Sequence, residues 1–291
     1  MRTGVYRLSF LRMIYLKGKL DRTWFKREGV SLKILFIGDI MGNPGREAVK
    51  TFLKPLIKEY EVDFTIANGE NAAGGKGITK EVAEELFAYG IEFLTMGNHV
   101  WDQRSIMNFI DEEPRLIRPA NYPVGAPGKG YGYGRAKGKK IGILNLSGRV
   151  YLQNLEDPFS GAIRWINEMK QETPIIIVDF HAEATSEKMA LGWFLDGKVT
   201  ALLGTHTHIQ TADARLLHQG TAYITDVGMT GPRDSVLGVK KEIIINRFLT
   251  QLPAKFELAS GPIQLNGVVI DVDEETGKAR SIIPIQKTKE K

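Results

Sequence analysis

Beyond residue 30, short apolar runs alternate with segments in which apolar residues recur every three or four positions. The first run, residues 33–37, is apolar after its opening lysine. Runs of this kind are typical of strands buried on both faces, and their alternation with helices is typical of an α/β fold. The pattern predicts strands at residues 33–37, 63–67, 92–96, 141–146, 174–180, 199–204, 222–225 and 268–272.

Helical periodicity fills the intervals between these strands. The second helix has both ends marked, because Thr79 can cap its first turn and Gly90 can end it. We find no linker, repeat or low-complexity tract in this part of the chain, and we therefore expect residues 31–291 to form a single domain. The predicted helices span residues 47–59, 80–89, 163–169, 186–195 and 242–248.

The charge of the chain is concentrated at its beginning. The formal net charge is +5, but residues 1–30 alone hold eight Lys or Arg and two Asp or Glu. The rest of the chain is close to neutral, so its charge gives little reason to expect a polyanionic partner. Residues 1–30 contain no apolar run near the ~20 residues that span a bilayer. We expect residues 1–30 to be a basic extension outside the folded domain, the alternative being an amphipathic segment that contacts a membrane or a partner.

Two residue types narrow the chemistry. The sequence has no cysteine, which excludes disulfides, zinc–thiolate sites, iron–sulfur clusters and cysteine nucleophiles. A chain without thiols fits a reducing compartment, and we expect a cytoplasmic location. There are only five histidines, so the positions they occupy are informative.

Polar side chains follow five of the predicted strands at the point where each strand ends. Four of the five histidines are among them, and the exception, His218, lies in a predicted surface turn. The carboxyl ends of strands in α/β sheets are where ligands bind. The residues concerned are Asp39, Glu70, Asn71, Asn98, His99, His181, His206 and His208.

Histidine with carboxylate and carboxamide oxygens suits iron, manganese or zinc better than calcium, which prefers oxygen ligands alone. His206 and His208 are two positions apart, so in extended backbone both imidazoles would point to one side. Such a pair could serve two neighbouring metal ions. A shared carboxylate usually holds two such ions about 3.5–4 Å apart.

Each residue also has a purely structural interpretation. Asp39 could cap the following helix, and Glu70 with Asn71 could stabilise a glycine-rich turn. Asn98 and His99 could form a buried polar pair. The segment Gly38–Gly45 fits neither common glycine-rich nucleotide-binding motif. The metal interpretation is favoured because all of these residues occur together.

The order of these motifs resembles the calcineurin-like metallophosphoesterase superfamily. The resemblance lies in Gly97-Asn98-His99, in the lone His181 and in the segment Gly204–His208. Two departures are informative: Met41 stands where the superfamily has a ligand histidine, and Glu70-Asn71 replaces its usual aspartate. These departures resemble a divergent bacterial branch, the 2′,3′-cyclic-nucleotide 2′-phosphodiesterases.

The resemblance implies a four-layer α/β/β/α sandwich with two mixed β-sheets, and a site with two metal ions, iron or manganese, with zinc also suitable. Asp39, Glu70, Asn71 and His208 would hold one ion. Glu70, Asn98, His181 and His206 would hold the other, so that Glu70 bridges them. His99 would be a catalytic residue that binds no metal and protonates the leaving oxygen.

The resemblance further implies hydrolysis of a cyclic nucleotide, most specifically of a 2′,3′-cyclic nucleotide to a 3′-nucleotide, through attack of a metal-bridging hydroxide on phosphorus. One alternative is a 3′,5′-cyclic-nucleotide or general phosphoester hydrolase. Another is a regulatory RNA-binding protein with a structural metal site, for which the tyrosines and lysines of residues 129–140 are the relevant feature. The same stretch could be a glycine-rich hairpin. We expect a small phosphodiester substrate, a homo-oligomer and no membrane span.

Overall fold

The computed structural model describes residues 31–290; the basic extension, residues 1–30, lies outside the described part. The helices are α1 (Gly42–Tyr60), α2 (Lys80–Tyr89), α3 (Pro158–Met169), α4 (Thr185–Leu195) and α5 (Lys241–Thr250), with a 3₁₀ helix at Arg104–Asn108. The strands are β1 (Ser31–Ile37), β2 (Phe64–Asn68), β3 (Phe93–Thr95), β4 (Tyr131–Ala136), β5 (Lys139–Ser147), β6 (Ile176–His181), β7 (Ala201–Thr205), β8 (Arg215–Leu216), β9 (Ala222–Ile224), β10 (Gly231–Pro232), β11 (Ile263–Asp273) and β12 (Ala279–Lys289).

These strands form two mixed sheets. The first has the order β10-β11-β1-β2-β3, with β12 paired to β11, and the second has the order β4-β5-β6-β7-β9-β8. Strands β1, β2 and β3 run parallel to one another, as do β5, β6, β7 and β9. Each sheet is completed by antiparallel neighbours.

The alternation of side chains along β1 explains the layering. Leu32, Ile34 and Phe36 face the second sheet, where they join an apolar cluster between the two sheets. Leu35 and Ile37 point the other way and pack with residues of α1 and α2. A third cluster joins the second sheet to α3 and α4. The order of layers is therefore α/β/β/α, and the predicted sandwich is confirmed.

The predicted elements are all present, with shifted ends. Thr79 caps α2 by accepting a hydrogen bond from Val82, and Gly90 follows the helix with a φ of 116°. Helix α1 begins at Gly42, ahead of the predicted start at residue 47. Strand β12 was missed because it lies at the sheet edge, where most of its side chains are exposed or half-buried.

The glycine-rich stretch at residues 129–140 lies in a hairpin formed by β4 and β5, as the hairpin interpretation predicted. Two of the first four residues of β4, Gly132 and Gly134, are glycines that face the first sheet, which lies too close to leave room for a side chain. A Cβ on Gly134 would be 2.1 Å from the ring of Phe64. Two lysines of the hairpin make ion pairs within the protein, Lys137 with Asp63 at 2.8 Å and Lys140 with Glu172.

Candidate metal centre

The fold brings the predicted residues to one edge of the molecule, because the parallel strands of both sheets end there. Asp39 follows β1, Glu70 and Asn71 follow β2, and Asn98 and His99 follow β3. The second sheet contributes His181, the last residue of β6, and His206 and His208, which follow β7. All eight side chains are buried or half-buried. The structure brings seven of these residues together, with His181 and His206 facing each other at the centre, and His99 lies beside them.

The centre of the site is the Nε2 atom of the buried His181. It lies 2.9 Å from Asn98 Oδ1, 3.2 Å from Glu70 Oε1 and 3.0 Å from His206 Nδ1. Within residues 31–290, potential ligand atoms of Glu70, His181 and His206 all lie within 4.8 Å of one another. Four atoms that can each offer a lone pair thus converge on one point.

The hydrogen bond of the opposite nitrogen orients His181 and keeps a proton on Nδ1, so Nε2 is the atom that would bind a metal ion on losing its own proton. His181 Nδ1 lies 2.9 Å from the hydroxyl of Thr205, which itself donates to Asp179 at 2.7 Å. The hydroxyl can therefore only accept from Nδ1–H. Asp179 is held in turn by Asn68 and Thr95. A histidine oriented in this way by a buried carboxylate is typical of metal ligands in proteins.

The charges of the site favour a bound cation. Burial opposes the ionisation of Glu70, but the proximity of His181 brings its pKa down to about 2. Burial likewise opposes the charge on His181, but Glu70 and Asp39 raise its pKa to about 9. For His206, burial and the neighbouring His181 lower the pKa to about 3. In the protein alone, one proton on His181 offsets the negative charge of the carboxylates.

Asp39 shows most directly that the residues fit a metal. Its Oδ2 accepts a hydrogen bond from the backbone N–H of His206 at 3.2 Å, but its Oδ1 is buried with no hydrogen-bond partner. Burial raises the pKa of this carboxyl above its ordinary value. A buried carboxylate oxygen without a partner is costly, and a divalent cation would supply the missing interaction. The donor set of carboxylates, imidazoles and amides fits such a cation.

Asn71 and His208 form the other side of the site. The amide nitrogen of Asn71 lies 3.2 Å from His208 Nε2 and 3.1 Å from Glu70 Oε1. His208 Nδ1 donates to the carbonyl of Leu237 at 3.1 Å, which leaves Nε2 as the acceptor. Asn71 would have to turn its amide so that Oδ1 faces a metal ion, whereas Nε2 of His208 already faces the site.

The backbone between these two histidines is not extended, and that part of the geometric prediction is wrong. His206 has a φ of 101° and His208 a φ of 65°, a left-handed conformation that non-glycine residues seldom adopt. Both imidazoles nevertheless reach the same cavity. The strained turn brings them there, rather than the alternation of a strand.

A buried ion pair holds this turn in place. Lys188 lies 2.6 Å from Asp226, and both side chains are fully buried. Asp226 accepts hydrogen bonds from the backbone and hydroxyl of Thr207, the residue between the two histidines. Lys188 also donates to the carbonyl of Thr205 at 2.7 Å. The ion pair therefore holds the turn through its hydrogen bonds to Thr205 and Thr207.

His99 occupies a different position from the ligands. Its backbone N–H donates to Glu70 Oε2 at 3.0 Å, and its Nδ1 lies 2.9 Å from Asp102 Oδ2. The side chain lines the cavity above the cluster. Position 97, two residues before His99, requires glycine. A Cβ on Gly97 would lie 2.3 Å from Glu70 Oε2 and 2.4 Å from the His181 ring.

The sequence interpretation missed three residues of the site. Glu183 Oε2 lies 3.0 Å from His206 Nε2, and its position two residues after His181 was the available signal. Lys188 and Asp226 are distant in sequence and become partners only through the fold. His218, in contrast, is exposed and stacks on Trp193, away from the site as predicted.

The two-sheet sandwich with this cluster at its strand ends is that of a calcineurin-like metallophosphoesterase. The family model of the YmdB-like protein matches residues 35–285, and the chain belongs to that family. A Bacillus subtilis (strain 168) protein named 2′,3′-cyclic-nucleotide 2′-phosphodiesterase is 55% identical over 251 residues, which are 86% of this chain and 95% of that protein.

Two solved structures are also similar. A Mycoplasma pneumoniae protein described as a novel phosphatase has a TM-score of 0.85 at 38% identity, over 90% of this chain and 95% of that chain. A hypothetical protein from Thermus thermophilus has a TM-score of 0.83 at 40% identity, over 89% of this chain and 100% of that chain. Among residues 31–290, no helix has the length and apolar character that a membrane span requires.

Proposed function

We propose that this protein is a metal-dependent phosphoric diester hydrolase that opens 2′,3′-cyclic nucleotides to 3′-nucleotides. The observation that carries the proposal is the convergence of His181, Glu70 and His206 beside a buried carboxylate oxygen of Asp39 that lacks a partner. The name of the Bacillus subtilis relative, at 55% identity, supports the substrate.

For the metal ligands we propose two overlapping sets. Asp39, Glu70, Asn71 and His208 would hold one divalent ion, and Asn98, His181 and His206 would hold a second together with Glu70. When bound, the ions act as Lewis acids that activate water for attack on phosphorus and offset the charge that develops there. The mixture of imidazole and carboxylate ligands supports iron or manganese, and zinc also fits.

The residues of the chain have separate roles in this proposal. Glu70 and Asp39 supply the negative charge that retains the ions. Asp102 holds the Nδ1 proton of His99, so His99 Nε2 is the atom that can donate a proton to the leaving 2′ oxygen. Gly97 allows Glu70 and His181 to approach each other beneath His99.

We further propose that residues 31–291 are the catalytic domain and that the basic extension contributes no site residue. The lack of cysteine supports a cytoplasmic location. A homo-oligomer is supported by α5, in which Ile245, Phe248 and Leu249 are all more than half exposed.

The test is turnover of 2′,3′-cyclic AMP by protein stripped with a chelator and reloaded with Mn²⁺, Fe²⁺ or Zn²⁺. We expect metal-dependent formation of 3′-AMP, separated from 2′-AMP by chromatography. The variant Glu70→Gln should lose turnover together with most of its bound metal, and the matched control His218→Ala should retain both.

Other outcomes would replace the proposal. Preference for 3′,5′-cyclic AMP or p-nitrophenyl phosphate would make the protein a different phosphoester hydrolase. The absence of turnover with every metal, together with binding of RNA, would support the regulatory alternative.

A further inference from the structure

The cavity above the metal-binding residues has two chemically different walls. It has a volume of about 500 Å³, within the range of about 300–1,000 Å³ that small-molecule sites occupy. The side chains of the site form one wall. The other wall is apolar and consists of Met41, Leu237, Val239, Phe256 and Leu258.

The apolar wall is connected rigidly to the site. Val239 pairs with Leu258 in an antiparallel bridge, and the N–H of Ala259 donates to the carbonyl of Gly238 at 2.9 Å. The same segment provides Leu237, whose carbonyl accepts the hydrogen bond from His208. A displacement of this wall would therefore move a metal-binding residue.

Leu258 is the residue of the apolar wall that packs on the loops of the metal-binding site. A Cβ on Gly42 would lie 2.4 Å from its Cδ1, and a Cβ on Gly75 would lie 3.1 Å from its Cδ2. The glycines at these positions allow the wall to pack directly on the loops that follow β1 and β2. As a result, the apolar side chains and the predicted ligands line the same cavity.

Phe256 is the exposed part of this wall. It lies two residues before Leu258, lines the cavity and is 46% exposed. The guanidinium of Arg247 lies 5.1 Å from its ring centroid, so one side of the ring is supported by the protein. An aromatic ring that is supported on one side and open to a cavity is suited to stacking on a planar ligand.

We propose that Phe256, with Val239 and Leu258 beside it, stacks on the base of the bound nucleotide while its phosphate lies at the metal-binding residues. This inference rests on the proposed function and names the part of the substrate that the apolar wall binds. Glu257, the acidic residue of this wall, is paired with Lys240 at 2.6 Å. Because the wall offers stacking rather than hydrogen bonds to the base edge, adenine and uracil cyclic nucleotides are both accepted.

The experiment compares Phe256→Ala and Phe256→Tyr with the wild type on two substrates. One is 2′,3′-cyclic AMP, and the other is glycerol 1,2-cyclic phosphate, which has the same five-membered diester but no base. Phe256→Ala should raise KM for the nucleotide about tenfold or more, the usual effect of losing one base–aromatic stack, with little change in kcat. Phe256→Tyr should restore KM, and KM for glycerol 1,2-cyclic phosphate should not change.

The matched control is Tyr151→Ala, since Tyr151 is an aromatic residue that is 88% exposed and does not line the cavity. It should leave both substrates unaffected. An unchanged KM for 2′,3′-cyclic AMP in Phe256→Ala, or equal increases for both substrates, would overturn the base-stacking role.

A failure of the proposed function would have a different result, because the wild type would then hydrolyse neither cyclic substrate. Calorimetric titration of the wild type and Phe256→Ala with 3′-AMP would still decide the inference. Weaker binding by Phe256→Ala supports it, and equal affinity or no binding by both proteins overturns it.

Discussion

His99 and His181 show how the surroundings of a histidine determine its chemistry. His181 is fully buried between carboxylates, and its Nε2 faces other ligand atoms. His99 is half-buried, is bonded to Asp102 and lines an open cavity. A histidine of the first kind is suited to hold a metal, and one of the second kind is suited to move a proton.

We therefore expect His99→Ala to retain its metal while losing activity. The rate on 2′,3′-cyclic AMP should fall by roughly 10²–10⁴-fold, the usual contribution of general acid catalysis. The loss should be smaller on bis-p-nitrophenyl phosphate, because p-nitrophenolate needs little protonation to leave. Elemental analysis and steady-state kinetics on both substrates would measure these effects.

His218→Ala is the control for this prediction, because His218 stacks on Trp193 away from the site. It should change neither metal content nor rate. If His99→Ala loses metal, His99 is a ligand. If its rate on 2′,3′-cyclic AMP is unchanged, His99 is not the acid.

The turn after β7 depends on support from other elements. Its two left-handed histidines are held by Asp226, which follows β9, and by Lys188 of α4. Removing Lys188 leaves a buried, unpaired carboxylate directly under the turn. The effect should therefore appear in stability as well as in the arrangement of the site.

We expect Lys188→Met to lower the free energy of unfolding by about 3–5 kcal/mol, the usual cost of breaking a buried ion pair. Adding Asp226→Asn should recover part of this loss, because neither charge of the Lys188–Asp226 pair then remains. Urea denaturation at neutral pH would measure both variants.

The matched control is Lys287→Met, which removes the lysine of an exposed pair with Glu59 at 2.9 Å. It should lower the free energy of unfolding by less than about 1 kcal/mol. Equal losses in Lys188→Met and Lys287→Met would contradict the role of the buried pair.

The sequence predicted well those elements whose run of apolar residues directly reflects the burial of the same segment. Strands such as β1 are apolar because both faces are buried, and the candidate site residues were selected because each follows a predicted strand of this kind. The left-handed turn at His206 could not be predicted in this way. It is stabilised by Lys188 and Asp226, which are distant in sequence and are placed next to it by the fold of the second sheet. The apolar wall around Phe256 depends on similarly distant contacts.

At the scale of the whole molecule, the site joins the two sheets. Asp39 and Glu70 come from the first sheet, whereas His181 and His206 come from the second. Their relative position is fixed by the apolar cluster between the sheets. A bound ion would connect the same two layers, so metal binding and folding should be thermodynamically linked.

This linkage predicts that metal will raise the melting temperature of the wild type. A ligand present at 100 times its Kd stabilises the folded state by about 2.7 kcal/mol. Asp39→Asn should show little of this increase, since it lacks a charged ligand. Without metal, however, Asp39→Asn should melt at the same temperature as the wild type or higher, because it removes a buried carboxylate whose Oδ1 has no partner.

The order of the two melting temperatures should therefore reverse when metal is added. Thermal denaturation of both proteins in EDTA and in excess Mn²⁺ would measure this, with His218→Ala as a variant expected to follow the wild type in both conditions. A wild type that melts at the same temperature with and without metal would exclude the linkage. A metal-free Asp39→Asn that melts well below the wild type would show that the charge of Asp39 stabilises the fold through His181, whose Nδ1 lies 3.8 Å from Asp39 Oδ1, with no need of an ion.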